Sequence, residues 1–204
     1  MLAAKRHMIP RCNTIGLLGG SFNPPHMGHV HITNQALKSF QLQKVFWLVS
    51  PGNPLKLKSA VSVEKRVNQC RNIVHNPYIA ISDIENKLNT RFTAETLRKL
   101  FVIYPGVRFV WLMGADNLDH FARWYRYRDM IRLLPIAVVE RPGYSFQTIA
   151  AGQHLLGRRI KVTKMRYAIM SGTLNLPSWC FIAGQLNAAS ATKIRQRTQD
   201  RTCQ

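Results

Sequence analysis

The sequence predicts an α/β fold, a doubly wound and mostly parallel sheet with helices on both faces, of the Rossmann-like kind. Three observations predict it. Short apolar runs alternate along the chain with stretches of helical periodicity. Several of those runs are apolar at successive positions, as in Val45-Phe46-Trp47-Leu48-Val49, which is the pattern of strands covered on both faces. The first run ends in the pair Gly19-Gly20 and is followed by a helical pattern, a layout that suits phosphate binding.

Taken in order, strand runs fall at Ile15 to Gly19, Val45 to Val49, Tyr78 to Ser82, Arg108 to Met113, Ile136 to Val139 and Ile160 to Val162. Helical stretches lie between them at Gly28 to Gln41, Val63 to Val74, Thr93 to Tyr104, Asp119 to Leu134 and Phe146 to Leu155. Leu88 to Thr90 and Gly143 to Phe146 read as turns. Ligands of such sheets bind beyond the carboxyl ends of the strands, so Gly19, Gly20 and Gly114, each at the end of a strand run, are expected on one rim.

Composition sets the outer bounds. The chain has 204 residues, 46% of them hydrophobic and 19% charged, enough for one well-buried core. A single domain is expected over 14–204, preceded by a disordered basic extension over 1–13. No apolar run approaches the ~18 residues that cross a bilayer, and the opening residues lack the apolar centre of a secretory signal. Cys12, Cys70, Cys180 and Cys203 are scattered without a C-x-x-C pair, which fits free thiols in a reducing cytoplasm. The 29 Lys and Arg against 9 Asp and Glu give a formal charge of +20. They are dispersed, with no recognisable nucleic-acid module, so weak salt-sensitive adhesion to RNA or DNA is expected and specific binding is not. A positive field would also concentrate anionic substrates. A homo-oligomer is left open.

Two segments carry chemistry. In Gly16 to His29 a strand and glycine turn lead into a helix start, where free N–H groups and a partial positive charge favour anions. His26 and His29 are three apart, so both can face one phosphate, with Gly28 between them. Paired histidines also suit a metal, but no further ligand lies nearby at a familiar zinc spacing, and no metal site is assigned. The second segment is Ala189 to Arg195, where Ser190, Thr192 and Arg195 offer hydroxyls and a guanidinium near a helix start. Taken alone, it reads as a capped basic terminal helix.

Together, His26-x-Gly28-His29 and Ser190-x-Thr192-x-x-Arg195 resemble the paired hallmarks of the nucleotidyltransferase superfamily that includes cytidylyltransferases and several adenylyltransferases. Gly19 to His26, Phe92 to Leu97, Met113 to Asn117, Trp124-Tyr125-x-Tyr127 and Glu140 to Gly143 further resemble bacterial nicotinate-nucleotide adenylyltransferases, in that family's order. The resemblance implies transfer of an adenylyl group from ATP to nicotinate mononucleotide for NAD biosynthesis, with Mg²⁺ carried on the ATP phosphates. His26, His29 and Arg195 would then be catalytic. Gly19, Gly20, Ser21, Phe22, Gly28, Lys56, Gly114, Asp116, Ser190 and Thr192 would line the ATP and its phosphates. Thr93, Trp124, Tyr125 and Arg141 would hold the mononucleotide.

Some of these positions admit a second reading. Trp124 by itself reads as core, and the resemblance assigns its face to the pyridine ring. Asp116 suits a ribose hydroxyl and a helix cap equally. Three departures from the family pattern stand out. Pro54-Leu55-Lys56 replaces a common Pro-His-Lys, Ala189 replaces a larger aliphatic residue, and the sequence ends nine residues after Arg195. The competing readings are an adenylyltransferase for nicotinamide mononucleotide or another phosphate ester, and a basic nucleotide- or RNA-binding protein without turnover.

Overall fold

In a computed structural model of the chain, residues 13–51 and 61–184 are described. The strands are β1 (Thr14–Gly20), β2 (Lys44–Val49), β3 (Ile79–Ser82), β4 (Arg108–Gly114), β5 (Ile136–Val139), β6 (Arg158–Arg159) and β7 (Ser178–Ile182). The helices are α1 (Met27–Phe40), α2 (Val63–Ile73), α3 (Ile84–Lys87), α4 (Thr93–Ile103), α5 (Leu118–Phe121), α6 (Tyr127–Leu133), α7 (Ser145–Leu156) and α8 (Val162–Ser171), with a 3₁₀ turn at Ala115–Asn117. The strands form one seven-stranded sheet in the order β3-β2-β1-β4-β5-β7-β6, and every pairing is parallel.

Alternation along β4 shows how both faces are buried. Val110 and Leu112 join the core beneath α1, α2 and α8, with Ile32, Phe40, Val67 and Met165. Phe109, Trp111 and Met113 point the other way, to Leu97, Leu118, Phe121 and Met130 of α4, α5 and α6. Strand order runs outward in one direction from β1 and in the other from β4, so these neighbours flank the topological switch point. They end at Gly20 and Gly114, which places both glycines on the ligand-binding rim.

Three expectations need correction. The helix expected from Asp119 to Leu134 is two short helices, with 122–126 between them and Arg126 in the left-handed region at φ 54°. The Phe121 ring lies 5.4 Å from that of Trp124 and 5.7 Å from that of Tyr127. The broken segment therefore keeps a helix-like spacing of packed aromatic rings, and periodicity alone hides the break.

The strand expected at Ile160 to Val162 is also displaced. β6 is Arg158–Arg159, and Val162 opens α8, whose buried Met165 and Ile169 continue a helical stripe. The strand beside β5 is the unanticipated β7, Ser178–Ile182. The turn expected through Phe146 gives way to α7 at Ser145. Among the described residues no helix is long and apolar enough to cross a membrane.

Candidate active site

Beyond β1 the chain turns through exposed Ser21 to Phe22, whose φ of 46° lies in the left-handed region. A non-glycine residue there costs about 1–2 kcal/mol, which burial of its ring offsets. Phe22 is 1% exposed, stacks on Trp47 at 4.9 Å and 12°, and lies 4.7 Å from the His29 ring. The side chain thus forms the floor under His29. From α2, Arg66 reaches the same loop and donates to the carbonyls of Ser21 at 2.6 Å and Ser50 at 2.8 Å. It ties the end of β1 to the end of β2 while itself 1% exposed.

The two histidines are held by backbone amides. His26 caps α1, its Nδ1 accepting from Gly28 N–H at 3.1 Å, and the His26 N–H donates to Nδ1 of His29 at 3.2 Å. This reciprocal capping box occupies both Nδ1 atoms as acceptors, so each neutral ring carries its proton on Nε2. The rings lie 3.8 Å apart. Burial, and then the charge of Arg141, lowers the His26 pKa to about 4. Burial, then the charges of His26 and Arg141, lowers that of His29 to about 3, against an opposing backbone bond to His26. Both are neutral donors at pH 7, at the N-terminus of a 14-residue helix with no acidic residue in its first turn. Thr33 secures the next turn, donating to the His29 carbonyl at 2.9 Å and accepting from Trp47 Nε1 at 2.7 Å.

Across the switch point, Asp116 follows β4 and pairs with Arg141, which follows β5, at 3.5 Å. A Cβ on Gly114 would lie 2.4 Å from Asp116 Oδ1, so the glycine gives the carboxylate room to fold back over the strand end. Arg141 is 5% exposed, and its charge reaches both histidines. Gly19 answers to a different neighbour. A Cβ there would lie 2.4 Å from the six-membered ring of Trp111. That indole in turn makes an edge contact with Trp124, at 6.0 Å and 84°.

Trp124 and Tyr125 sit in the break between α5 and α6, the first half-buried and the second 47% exposed. The Tyr125 ring lies 4.3 Å from Phe92, the residue before α4. Thr93 opens that helix, and the residue before it, Phe92, makes no side-chain cap hydrogen bond to the first-turn N–H groups. The Phe92–Tyr125 contact therefore brings the start of α4 and the Trp124-Tyr125 segment together. Asp129 of α6 braces them, pairing with Arg98 at 2.8 Å and Arg126 at 2.5 Å.

The cytidylyltransferase-like family profile matches residues 17–197. A probable nicotinate-nucleotide adenylyltransferase of Ruegeria sp. (strain TM1040) is 47% identical, over 90% of this chain and 97% of that protein. Another, from Parvibaculum lavamentivorans, is 40% identical over 95% of this chain and 96% of its own length. The chain belongs to the nicotinate-nucleotide adenylyltransferase family. Among solved structures, Plasmodium falciparum nicotinic acid mononucleotide adenylyltransferase complexed with NaAD aligns with a TM-score of 0.68 at 14% identity, covering 90% of this chain and 83% of that one. That likeness is one of fold.

Of the site residues expected in this family member, Lys56, Ser190, Thr192 and Arg195 lie outside the described residues, as do Cys12, Cys203 and all but the last residue of the extension expected over 1–13. Arg66 was missed by sequence reasoning. Its signal is a lone arginine on the buried stripe of α2, beside Val67 and Cys70. Glu85, Thr90 and Thr96 were missed as well, and these three buried polar side chains lie behind Phe92.

Proposed function

We infer that the chain transfers the adenylyl group of ATP to nicotinate mononucleotide, giving nicotinate adenine dinucleotide and pyrophosphate. The observation that carries this reading is the pair of neutral Nε2–H donors at the α1 N-terminus, set at the switch point of a nicotinate-nucleotide adenylyltransferase fold. ATP would enter with Mg²⁺, which would neutralise charge on the triphosphate without a dedicated protein cage. A phosphate oxygen of the mononucleotide attacks the α-phosphorus in line. The bond from that phosphorus to the bridging oxygen breaks, and pyrophosphate leaves with the electron pair.

No enzyme nucleophile and no general base are required, because the attacking phosphate is already ionised. Catalysis is alignment of two anions and stabilisation of growing charge. His29 donates to the α-phosphate oxygen and His26 to the triphosphate, each from Nε2. The lowered histidine pKa values support this role, since a ring neutral at pH 7 donates without first taking up a proton. Gly20, Ser21 and Gly28 border the phosphates. Lys56, Ser190, Thr192 and Arg195 hold the outer phosphates and the pyrophosphate as it leaves. Asp116, steadied by Arg141, accepts from a ribose hydroxyl.

On the acceptor side the half-buried Trp124 face takes the pyridine ring. Backbone donors at Thr93 and Tyr125 take its carboxylate, as the uncapped start of α4 supports. The reaction supplies NAD biosynthesis in the cytoplasm. Its test is pyrophosphate release from ATP and Mg²⁺ at moderate salt, with nicotinate mononucleotide, nicotinamide mononucleotide and phosphopantetheine as acceptors. Release is expected with strong preference for the nicotinate form. Preference for another acceptor, or no release with any, contradicts the reading.

A further inference from the structure

Behind the acceptor site lies a polar cluster that the chemistry just described leaves unused. Glu85 and Thr90 are each 3% exposed and Thr96 is 0% exposed. Such groups are costly to bury, so their hydrogen bonds must be satisfied together. The Thr96 hydroxyl bonds the Glu85 carboxyl and lies 2.7 Å from the hydroxyl of Thr90. The Glu85 carbonyl accepts from Thr90 N–H at 2.9 Å and from its hydroxyl at 3.3 Å. The Thr96 backbone N–H donates to the Phe92 carbonyl at 3.2 Å, and that carbonyl, 3.3 Å from the Thr96 hydroxyl, competes with Glu85 for the single hydroxyl proton.

Lys99, one turn further along α4, donates to the Leu88 carbonyl at 2.7 Å. The loop from Leu88 to Phe92 is therefore tied at its start, middle and end, by α3 on one side and α4 on the other. The last tie holds the residue directly before Thr93, whose ring also rests on Tyr125.

We propose that Glu85, Thr90 and Thr96 form a positioning knot that fixes the first backbone N–H groups of α4, and thereby the preference for a nicotinate carboxylate over a nicotinamide. The proposal rests on the acceptor reading given above. Its chemistry is that of donor and acceptor matching. A carboxylate accepts at both oxygens, whereas an amide turns an NH₂ toward one of them, so two rigidly aimed N–H donors accept the first and reject the second. If the loop relaxes, the N–H groups can shift to meet either ligand, and selectivity falls. Among the described residues no cation forms an ion pair with Glu85, and burial pushes its pKa up to about 7 against the opposing Thr96 bond. The carboxyl acts inside the scaffold, and the contact with substrate belongs to the backbone.

The test compares full-length wild-type enzyme with Thr96→Val and Thr96→Ser, reading KM for both mononucleotides, KM for ATP, kcat and Tm. Thr96→Val is expected to raise KM for nicotinate mononucleotide about tenfold and lower the nicotinate-over-nicotinamide ratio about tenfold, the scale of one misplaced hydrogen bond. KM for ATP should stay within about twofold, and Thr96→Ser should restore the ratio, since it keeps the hydroxyl. If Thr96→Val does not fold, Thr90→Val carries the same expectation. A ratio unchanged in the valine variant, or KM values for acceptor and ATP rising together, overturns the knot while leaving the acceptor reading intact. A wild-type enzyme without nicotinate preference overturns both.

Discussion

Around His26 and His29 backbone amides hold side chains in place, whereas around Phe92 and Thr93 side chains hold the backbone in place. The contrast follows from what each region must present. In the proposed reaction a triphosphate is met by imidazole Nε2–H donors, which have to be aimed, and the capping box aims them. In the same proposal a small carboxylate is met by main-chain N–H groups, and buried hydroxyls and a carboxyl set that main chain. Burial also moves the two regions' titrations in opposite directions, lowering the histidines to about 4 and 3 and raising Glu85 to about 7. At neutral pH His26 and His29 are uncharged because each has lost a proton, and Glu85 is partly uncharged because it has kept one.

The largest expected effect lies on the phosphate side. Replacing His29 by Ala removes the donor proposed to act on the reacting phosphate, and the single-turnover rate constant should fall about 100- to 1,000-fold. Near-normal turnover would remove His29 from the chemistry. Trp124→Ala should act on the other side, raising KM for the mononucleotide by about tenfold more than KM for ATP. An equal rise in both would contradict ring stacking.

Gly19→Ala probes the link between the regions. Its Cβ would press into Trp111, which packs on Trp124, so the strain should cost about 1–3 kcal/mol of stability by denaturant titration. It should also weaken mononucleotide binding more than ATP binding. A variant impaired only toward ATP would show that Gly19 serves the phosphates directly.

The smallest expected effect is the pH response of Glu85. Its folded pKa lies above its ordinary 4.5, so its contribution to stability is complete below about 4.5 and is lost as pH rises through about 7. Glu85→Gln cannot titrate. Wild-type Tm minus variant Tm should therefore shrink between pH 5 and pH 8, and a constant difference would place the proton elsewhere. The histidines have the reverse sign. Their folded pKa values lie below 6.5, so their contribution is present above 6.5 and lost as pH falls toward 4 and 3.

Much of this architecture was legible in the chain. Five of the seven strands among the described residues announce themselves as short apolar runs, and Gly20 and Gly114 end the two that flank the switch point. The spacing of His26 and His29 pointed to one shared anion, but not to the interlocked amides that fix their tautomers, because those depend on backbone direction at Gly28. Ile160-Lys161-Val162 imitates a strand, yet Val162 belongs to a stripe whose later members lie in Met165 and Ile169. Trp124 read as core or as ring platform, and its position in a break, packed against Phe121 and Trp111, reconciles burial with access. Glu85 carried no signal in the sequence, because its partners come from Thr90 and Thr96, and no local pattern says that α4 will pack over α3.

The most direct measurement is ¹⁵N NMR of the imidazole nitrogens of His26 and His29 in the ligand-free protein, followed from pH 8 to pH 4. Both rings should carry hydrogen on Nε2 alone and remain neutral to below about pH 5, as the capping box and burial require. A proton on Nδ1 of either ring at pH 7, or titration of either near 6.5, would contradict a site built from neutral donors.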